Sequence, residues 1–170
     1  MFVVGATKKL QNEISKPLAD VEDYQNVPEI YQWHANIITI NRRKCLVLMN
    51  NHTCLNLTLL GLRKQQFENL DDVIKGSLNQ LLQLLDIEES VINKMLEAAD
   101  QIVYTKTKSR QILGMMNEIK FEIESKTEGL SYEEIDAVKL NKGNNKDFIF
   151  LPLKHHSPYN TFIKYFQEEE

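Results

Sequence analysis

The sequence predicts an α+β fold: an antiparallel β-meander with further strand candidates near both ends, packed against several α-helices. Three observations carry this expectation. Residues 33–61 alternate β-branched and apolar runs with Asn-containing breaks; residues 67–123 switch to an apolar period near 3.6; and Phe2-Val3-Val4 and Phe148-Ile149-Phe150-Leu151 are short apolar runs stopped by Gly5 and Pro152. At 170 residues and 42% hydrophobic, the chain has enough apolar surface to bury a core without a disulfide or a metal. The same composition excludes a disordered or collagen-like chain.

Phe2-Val3-Val4 closed by Gly5 reads as a strand entering a tight turn, and Leu10 and Ile14, four apart, mark a short helix behind Thr7. Residues 15–29 contain Pro17 and Pro28 with little periodicity and read as a surface connection. Strands follow over 35–40, 44–49 and 53–60, separated by Asn41-Arg42-Arg43 and Asn50-Asn51-His52, whose asparagines favour turns. In the third of these, Leu55, Leu57 and Leu59 share one face, and Cys54, Asn56 and Thr58 the other. Phe67, Leu70, Ile74, Leu78, Leu81 and Leu85 then form a helical stripe with Asn69 as its cap. Asp86 and Glu89 resemble a capping box ahead of Val91, Met95, Ala99 and Ile102, read as the next helical stripe.

Ser109 can cap a third helix carrying Ile112, Met116, Ile119 and Ile123, and Ser131 with Glu134 opens a shorter fourth. Asn141-Lys142-Gly143-Asn144-Asn145 reads as a polar turn before the strand candidate at 148–151. Ser157-Pro158 opens a last helix bearing Tyr159, Phe162, Ile163 and Phe166, and Glu168-Glu169-Glu170 sits unfavourably at the negative end of its dipole. The expected organisation is one unit over 1–170, with a basic strand-rich part (1–64), a helical part (65–125) and a tail with a strand and a terminal helix (126–170).

Cys45 and Cys54 lie in strand candidates without CxxC or zinc spacing, so they read as reduced, mostly buried thiols, and the expected location is cytoplasmic. No run approaches the roughly 18 apolar residues of a membrane span. Met1-Phe2-Val3-Val4-Gly5 has no basic segment ahead of it and reads as part of the fold, not as a signal peptide. The nucleotide-triphosphate loop, GxSxG and HExxH patterns are all absent, so no cofactor is implied, and Met115-Met116 suits core filling.

Net charge is −4, but residues 1–64 carry eight Lys and Arg against five Asp and Glu, while residues 65–170 carry twelve against nineteen. Three clusters combine cations with hydroxyl or amide donors. One is Thr7-Lys8-Lys9 at the turn after Gly5; the second is Arg42-Arg43-Lys44 at a hairpin tip; the third is Lys106-Thr107-Lys108-Ser109-Arg110, just ahead of a helix. If two of them met in space, a phosphate would find ammonium, guanidinium and backbone donors together. Each also has a structural reading: a chain reversal, a solvated hairpin tip that discourages strand pairing, and a helix start whose cations oppose the dipole.

Trp33-His34-Ala35-Asn36 adds a stacking surface at Trp33, a candidate catalytic acid or base at His34, and a polar Asn36, against the alternative that Trp33 plugs the core while His34 points outward. Adjacent His155 and His156 would point opposite ways, with no further ligand at metal spacing, so no metal site is expected.

The blocks Gly5-Ala6-Thr7-Lys8-Lys9-Leu10, Trp33-His34-Ala35-Asn36-Ile37 with Asn41-Arg42-Arg43 and Cys45-Leu46-Val47-Leu48-Met49-Asn50, and Lys106 to Asn117 give the chain a further handle. With them it resembles a family of small bacterial and phage proteins described as a domain of unknown function. From Ser131 onward no block is recognisable. The resemblance supplies no activity; it implies an accessory protein of bacteria or mobile elements. Three functional readings follow. The first is a non-enzymatic binding module for an anionic, phosphate-containing ligand, a nucleotide or nucleic acid. The second is an enzyme on a phosphate-containing substrate, with His34 as acid or base and Arg42 and Arg110 stabilising charge. The third is a protein-interaction factor, such as a phage-borne inhibitor or toxin–antitoxin component, working through the acidic helical half or the tail. Homo-oligomerisation is compatible with each, and no membrane partner is expected.

Overall fold

Phe2–Ala6 is buried at all five positions, which is what a strand paired on both edges and covered on both faces requires. The computed structural model, which describes residues 1–154 and 156–168, has this strand, β1, at the inside of a five-stranded sheet. β2 (Gln32–Ile40), β3 (Arg43–Asn50) and β4 (Asn56–Leu59) run antiparallel to one another, as the meander predicts. β1, however, pairs in parallel with β2 on one side and with β5 (Ile102–Lys106) on the other, giving the order β4-β3-β2-β1-β5. The fold is α+β, and its sheet is mixed, not purely antiparallel.

Three local expectations are corrected. Ile102 belongs not to a helical stripe but to β5, because α4 (Glu89–Ala98) ends before it and the β-branched run Ile102-Val103 can pair with β1. Residues 148–151 form no strand: Phe150 plugs a core and Leu151–Leu153 is a 3₁₀ turn around Pro152, which has no N–H for a ladder. Asn141–Asn145 is not a turn but lies inside α6 (Ala137–Lys146), while Ser131 and Glu134 cap only a 3₁₀ turn. His155, Glu169 and Glu170 lie outside the described residues, and with them the readings placed there.

The sheet separates two cores. One face, with Phe2, Val4, Trp33, Leu46, Leu48 and Leu57, is covered by α1 (Lys8–Gln11), α2 (Lys64–Glu68), α3 (Leu70–Leu84), α4 and α7 (Pro158–Glu168). The other, with Ile38, Cys45, Val47 and Met49, packs against α5 (Arg110–Thr127), Leu140 of α6 and Phe150. β3 thus buries alternate residues into different cores, which explains why Cys45 to Met49 reads as a continuous apolar run.

β4 is an edge strand, and α6 closes it with side chains. Asn141 Oδ1 accepts from the Thr58 N–H at 2.8 Å while its Nδ2 donates to the Thr58 carbonyl at 3.0 Å. Asn145, one turn on, does the same for Asn56 at 2.9 and 2.8 Å. A carboxamide carries one acceptor and one donor side, so two asparagines at i and i+4 imitate the partner strand that the edge would otherwise seek. Since Asn141 and Asn145 are buried, Asn141→Ala and Asn145→Ala are each expected to cost about 2–3 kcal/mol by leaving a backbone N–H and C=O unsatisfied. Urea denaturation checks this; a loss below about 0.5 kcal/mol for both, within the range of ordinary surface substitutions, would show that the pairs do not hold the edge.

Candidate functional site

The ends of β1 and β5 stand side by side, with Ala6 opposite Lys106 in register. The chain leaves them towards opposite faces: α1 places Leu10 in the first core, and α5 packs its apolar stripe in the second. Where neighbouring parallel strands diverge in this way a crevice opens at their carboxyl ends. Here it continues as a cleft of about 510 Å³ on the second face of the sheet, floored by Val3, Gly5, His34 and Thr105 and bordered by Lys106, Lys108 and Ser109. Gly5 is in register with His34 on one side and Thr105 on the other, so these three form one row across the floor.

His34 is the floor's central group, 3% exposed. A Cβ on Gly5 would lie 3.2 Å from its ring, so the bare glycine is what lets the imidazole lie across β1. Its Nδ1 is 2.8 Å from Asn51 Oδ1, and its Nε2 is 3.4 Å from the Lys108 backbone nitrogen. A backbone N–H can only donate, so Nε2 is the acceptor and Nδ1 carries the proton given to Asn51. Burial lowers the His34 pKa below its ordinary value of 6.5, against the smaller raising effect of the Asn51 hydrogen bond. The ring is therefore neutral at pH 7.

Lys108 stands just before the 18-residue α5, whose Ser109 Oγ accepts from Ile112 N at 3.2 Å. The N–H groups of Arg110 and Gln111 have no intrahelical acceptor, and the dipole makes this end electropositive. Among the described residues Lys8, Lys9, Lys106, Lys108 and Arg110 take part in no ion pair, whereas Lys16 pairs with Asp71, Lys44 with Glu13 and Lys75 with Asp100.

Of the three cationic clusters, the first and third are therefore neighbours. Thr7 donates its hydroxyl to Asn36 Oδ1 at 2.6 Å, fixing the turn, with Lys8 and Lys9 exposed behind it. Lys106 and Lys108 are exposed at the cleft border, Thr107 is half-buried between them, and Arg110 is exposed without lining the cleft. The hairpin cluster lies elsewhere. β2 runs five residues beyond Ala35, which pairs with Ala6, and so carries Arg42 and Arg43 roughly 16 Å past the end of β1 at about 3.3 Å per residue. There Arg43 stacks on Tyr132 at 3.7 Å and pairs with Glu133 at 3.6 Å, and Asn41 donates to the Leu130 carbonyl. Trp33 is no stacking platform: its ring packs on Phe2 at 5.2 Å in the first core.

Sequence reading missed Asn51, whose only signal was a turn-forming Asn pair, and the far border of the cleft: Tyr24, Gln25, Glu29, Gln32, His52 and Leu153, with Glu29 Oε2 3.1 Å from His52 Nδ1. These lie in segments without periodicity or motif, and only the tertiary fold assembles them. Cys54 and Met115 also border the cleft, with Sγ and Sδ 3.4 Å apart, and burial pushes the Cys54 thiol up to about 12. Among the described residues no group of three or more His, Cys, Asp or Glu could hold a metal ion, and no helix is long and apolar enough to cross a membrane.

The fold and the cleft define an α+β protein with a mixed sheet and a crevice at the carboxyl ends of its parallel strands, bordered by Lys106 and Lys108 and by the Glu29–His52 pair. The chain belongs to the family described as Domain of unknown function (DUF6933), whose profile matches residues 3–161. The match extends through the segment after Ser131 in which no block was recognisable, so most of the tail belongs to the family as well. Nothing among curated proteins or solved structures matches the chain.

Two outcomes test the geometry. With the folded-state pKa of His34 depressed, the unfolded chain binds the extra proton, so this stability is present above about pH 6.5 and is lost as pH falls below it. The melting temperature should drop between pH 7.5 and pH 5, and His34→Gln should shrink that drop; an unchanged drop would contradict the buried neutral imidazole. Both thiols are buried with raised pKa, so a thiol-exchange reagent at pH 7.5 should label neither in the native protein and both in urea.

Proposed function

We propose that this protein is a non-enzymatic binding module for a small phosphate-containing ligand, held with its anionic group between the Gly5–Lys9 turn and the Thr105–Arg110 loop. The observation that supports this reading is the β1–β5 register, which pairs Ala6 with Lys106, so that the turn carrying Lys8 and Lys9 and the loop carrying Lys108 and Arg110 leave neighbouring strand ends with no carboxylate in either. Lys106, Lys108 and Arg110, which make no ion pair among the described residues, stand at the N-terminus of an 18-residue helix, an arrangement that an anion would complete. Of these cations Lys106 and Lys108 border a concave cleft, which favours a small molecule over a nucleic-acid strand. The buried, unpaired thiols support an intracellular location. The enzymatic reading is not carried forward, because neither Arg42 nor Arg110 lines the cleft that holds His34.

Isothermal titration with inorganic phosphate and phosphorylated metabolites tests the proposal. The double variant Lys106→Glu/Lys108→Glu should weaken binding at least tenfold, and Arg42→Glu/Arg43→Glu should leave it within twofold. Binding should weaken as salt rises from 50 to 300 mM, as expected of charge-dominated recognition. Equal losses in both double variants, or no binding of any phosphate compound by the unmodified protein, would overturn it.

A further inference from the structure

We infer that the ligand is a nucleoside monophosphate, with the base in the half of the cleft remote from the lysines; this rests on the anion site proposed above. The size of the cleft exceeds what a phosphate alone fills. Lys106 is in register with Ala6 on one side of β1, and Gln32 with Val3 on the other, three residues back. Strand spacing and rise place these two borders roughly 14 Å apart diagonally across the floor. A phosphate at Lys106 and Lys108 fills one end of that span and leaves most of the 510 Å³ for the body of the ligand.

The chemistry of the remote end then narrows the body. Gln25, Glu29, Gln32, Asn51 and His52 are the polar residues of this border. His52 Nδ1 lies 3.1 Å from Glu29 Oε2, Gln32 Nε2 donates to the Val27 carbonyl and Asn51 Oδ1 accepts from His34, which leaves the Gln25 amide, the Asn51 Nδ2 and the Glu29 carboxylate to meet a ligand's edge. The Asn51 N–H reaches the Gln32 carbonyl at 2.9 Å, tying this border to β2. The cleft is also bordered by Val21, Tyr24, Pro152 and Leu153. Apolar walls with an aromatic ring, and hydrogen-bonding groups concentrated at one end, suit a flat heteroaromatic ring whose faces are apolar and whose edge is polar. A polyhydroxylated sugar body, polar on both faces, would leave its hydroxyls against Val21, Pro152 and Leu153 without partners. His34, neutral and bonded to Asn51 and the Lys108 N–H, lies on the floor between the two ends without adding a charge under the body.

Titrations of the full chain with inorganic phosphate, ribose 5-phosphate and the adenosine, guanosine, cytidine and uridine monophosphates decide this. At least one nucleoside monophosphate should bind tenfold or more tightly than both ribose 5-phosphate and inorganic phosphate. Tyr24→Ala, in an exposed 3₁₀ turn, should weaken that nucleotide at least threefold while leaving inorganic phosphate within twofold. A gain below tenfold for all four nucleotides, or a Tyr24→Ala effect on phosphate and nucleotide alike or on neither, overturns the base assignment. Inorganic phosphate binding that stays sensitive to Lys106→Glu/Lys108→Glu would then leave the anion site standing. If no phosphate compound binds at all, the anion site and the nucleotide fall together.

Discussion

A strand paired in parallel on both edges must reach each neighbour through a crossover, and β1 does so twice, to β2 within some 25 residues and to β5 across most of the helical part of the chain. Because α1 follows β1 towards one face and α5 follows β5 towards the other, the segments that leave these two strands part at their carboxyl ends. The crevice is the consequence of that parting. Gly5, in the middle of the row, keeps the floor shallow enough for His34 to lie across it, so the strand that organises the sheet also sets the depth of the cleft.

The first turn of α5 carries no acidic residue, and cations stand where the helix dipole favours anions. Lys106, Lys108 and Arg110 stand at the positive end of the α5 dipole, where each cation costs roughly 0.3–1 kcal/mol at an exposed position. Lys8 and Lys9 add to the same end of the sheet without a neutralising carboxylate. Other lysines are paired, Lys16 with Asp71, which also accepts from the Tyr104 hydroxyl, and four in i,i+4 pairs along the helices, while Lys94, Lys139, Lys142 and Lys154 make no ion pair among the described residues. His34 at the floor adds no charge to the cleft, and its proton is fixed on the side of Asn51.

The sheet's two edges are closed by different means. At β5 the chain between α1 and the first 3₁₀ turn runs alongside, with Ala19 N–H donating to the Tyr104 carbonyl at 2.8 Å. At β4 the closure is made by the Asn141 and Asn145 carboxamides, and Asn144 between them takes a hydrogen bond from Lys126 of α5 at 3.0 Å. This second closure joins α6 to both β4 and α5, so the tail after Ser131 is built into the sheet's packing.

Locally periodic elements were legible in the residues. The Leu55-Leu57-Leu59 alternation, the stripe from Leu70 to Leu85 and the Ser109 cap follow from neighbours a few positions apart and stand in the structure at those residues, whereas Phe67 falls in the separate α2 and Asn69 makes no side-chain cap bond. The exceptions are instructive: Asn141 and Asn145 have turn-like composition, and they sit in a helix because burial against Thr58 and Asn56 offsets their weak helix preference. By itself the sequence determined the α+β class, the β2–β4 meander, the main helices and the identity of the cationic clusters, since all of these rest on short-range periodicity and composition. Only the tertiary structure decided that β1 pairs with β5, which clusters meet, and that His34 faces inward over Gly5. Pairing between strands about a hundred residues apart depends on the burial of both partners at once, and no local pattern carries that information.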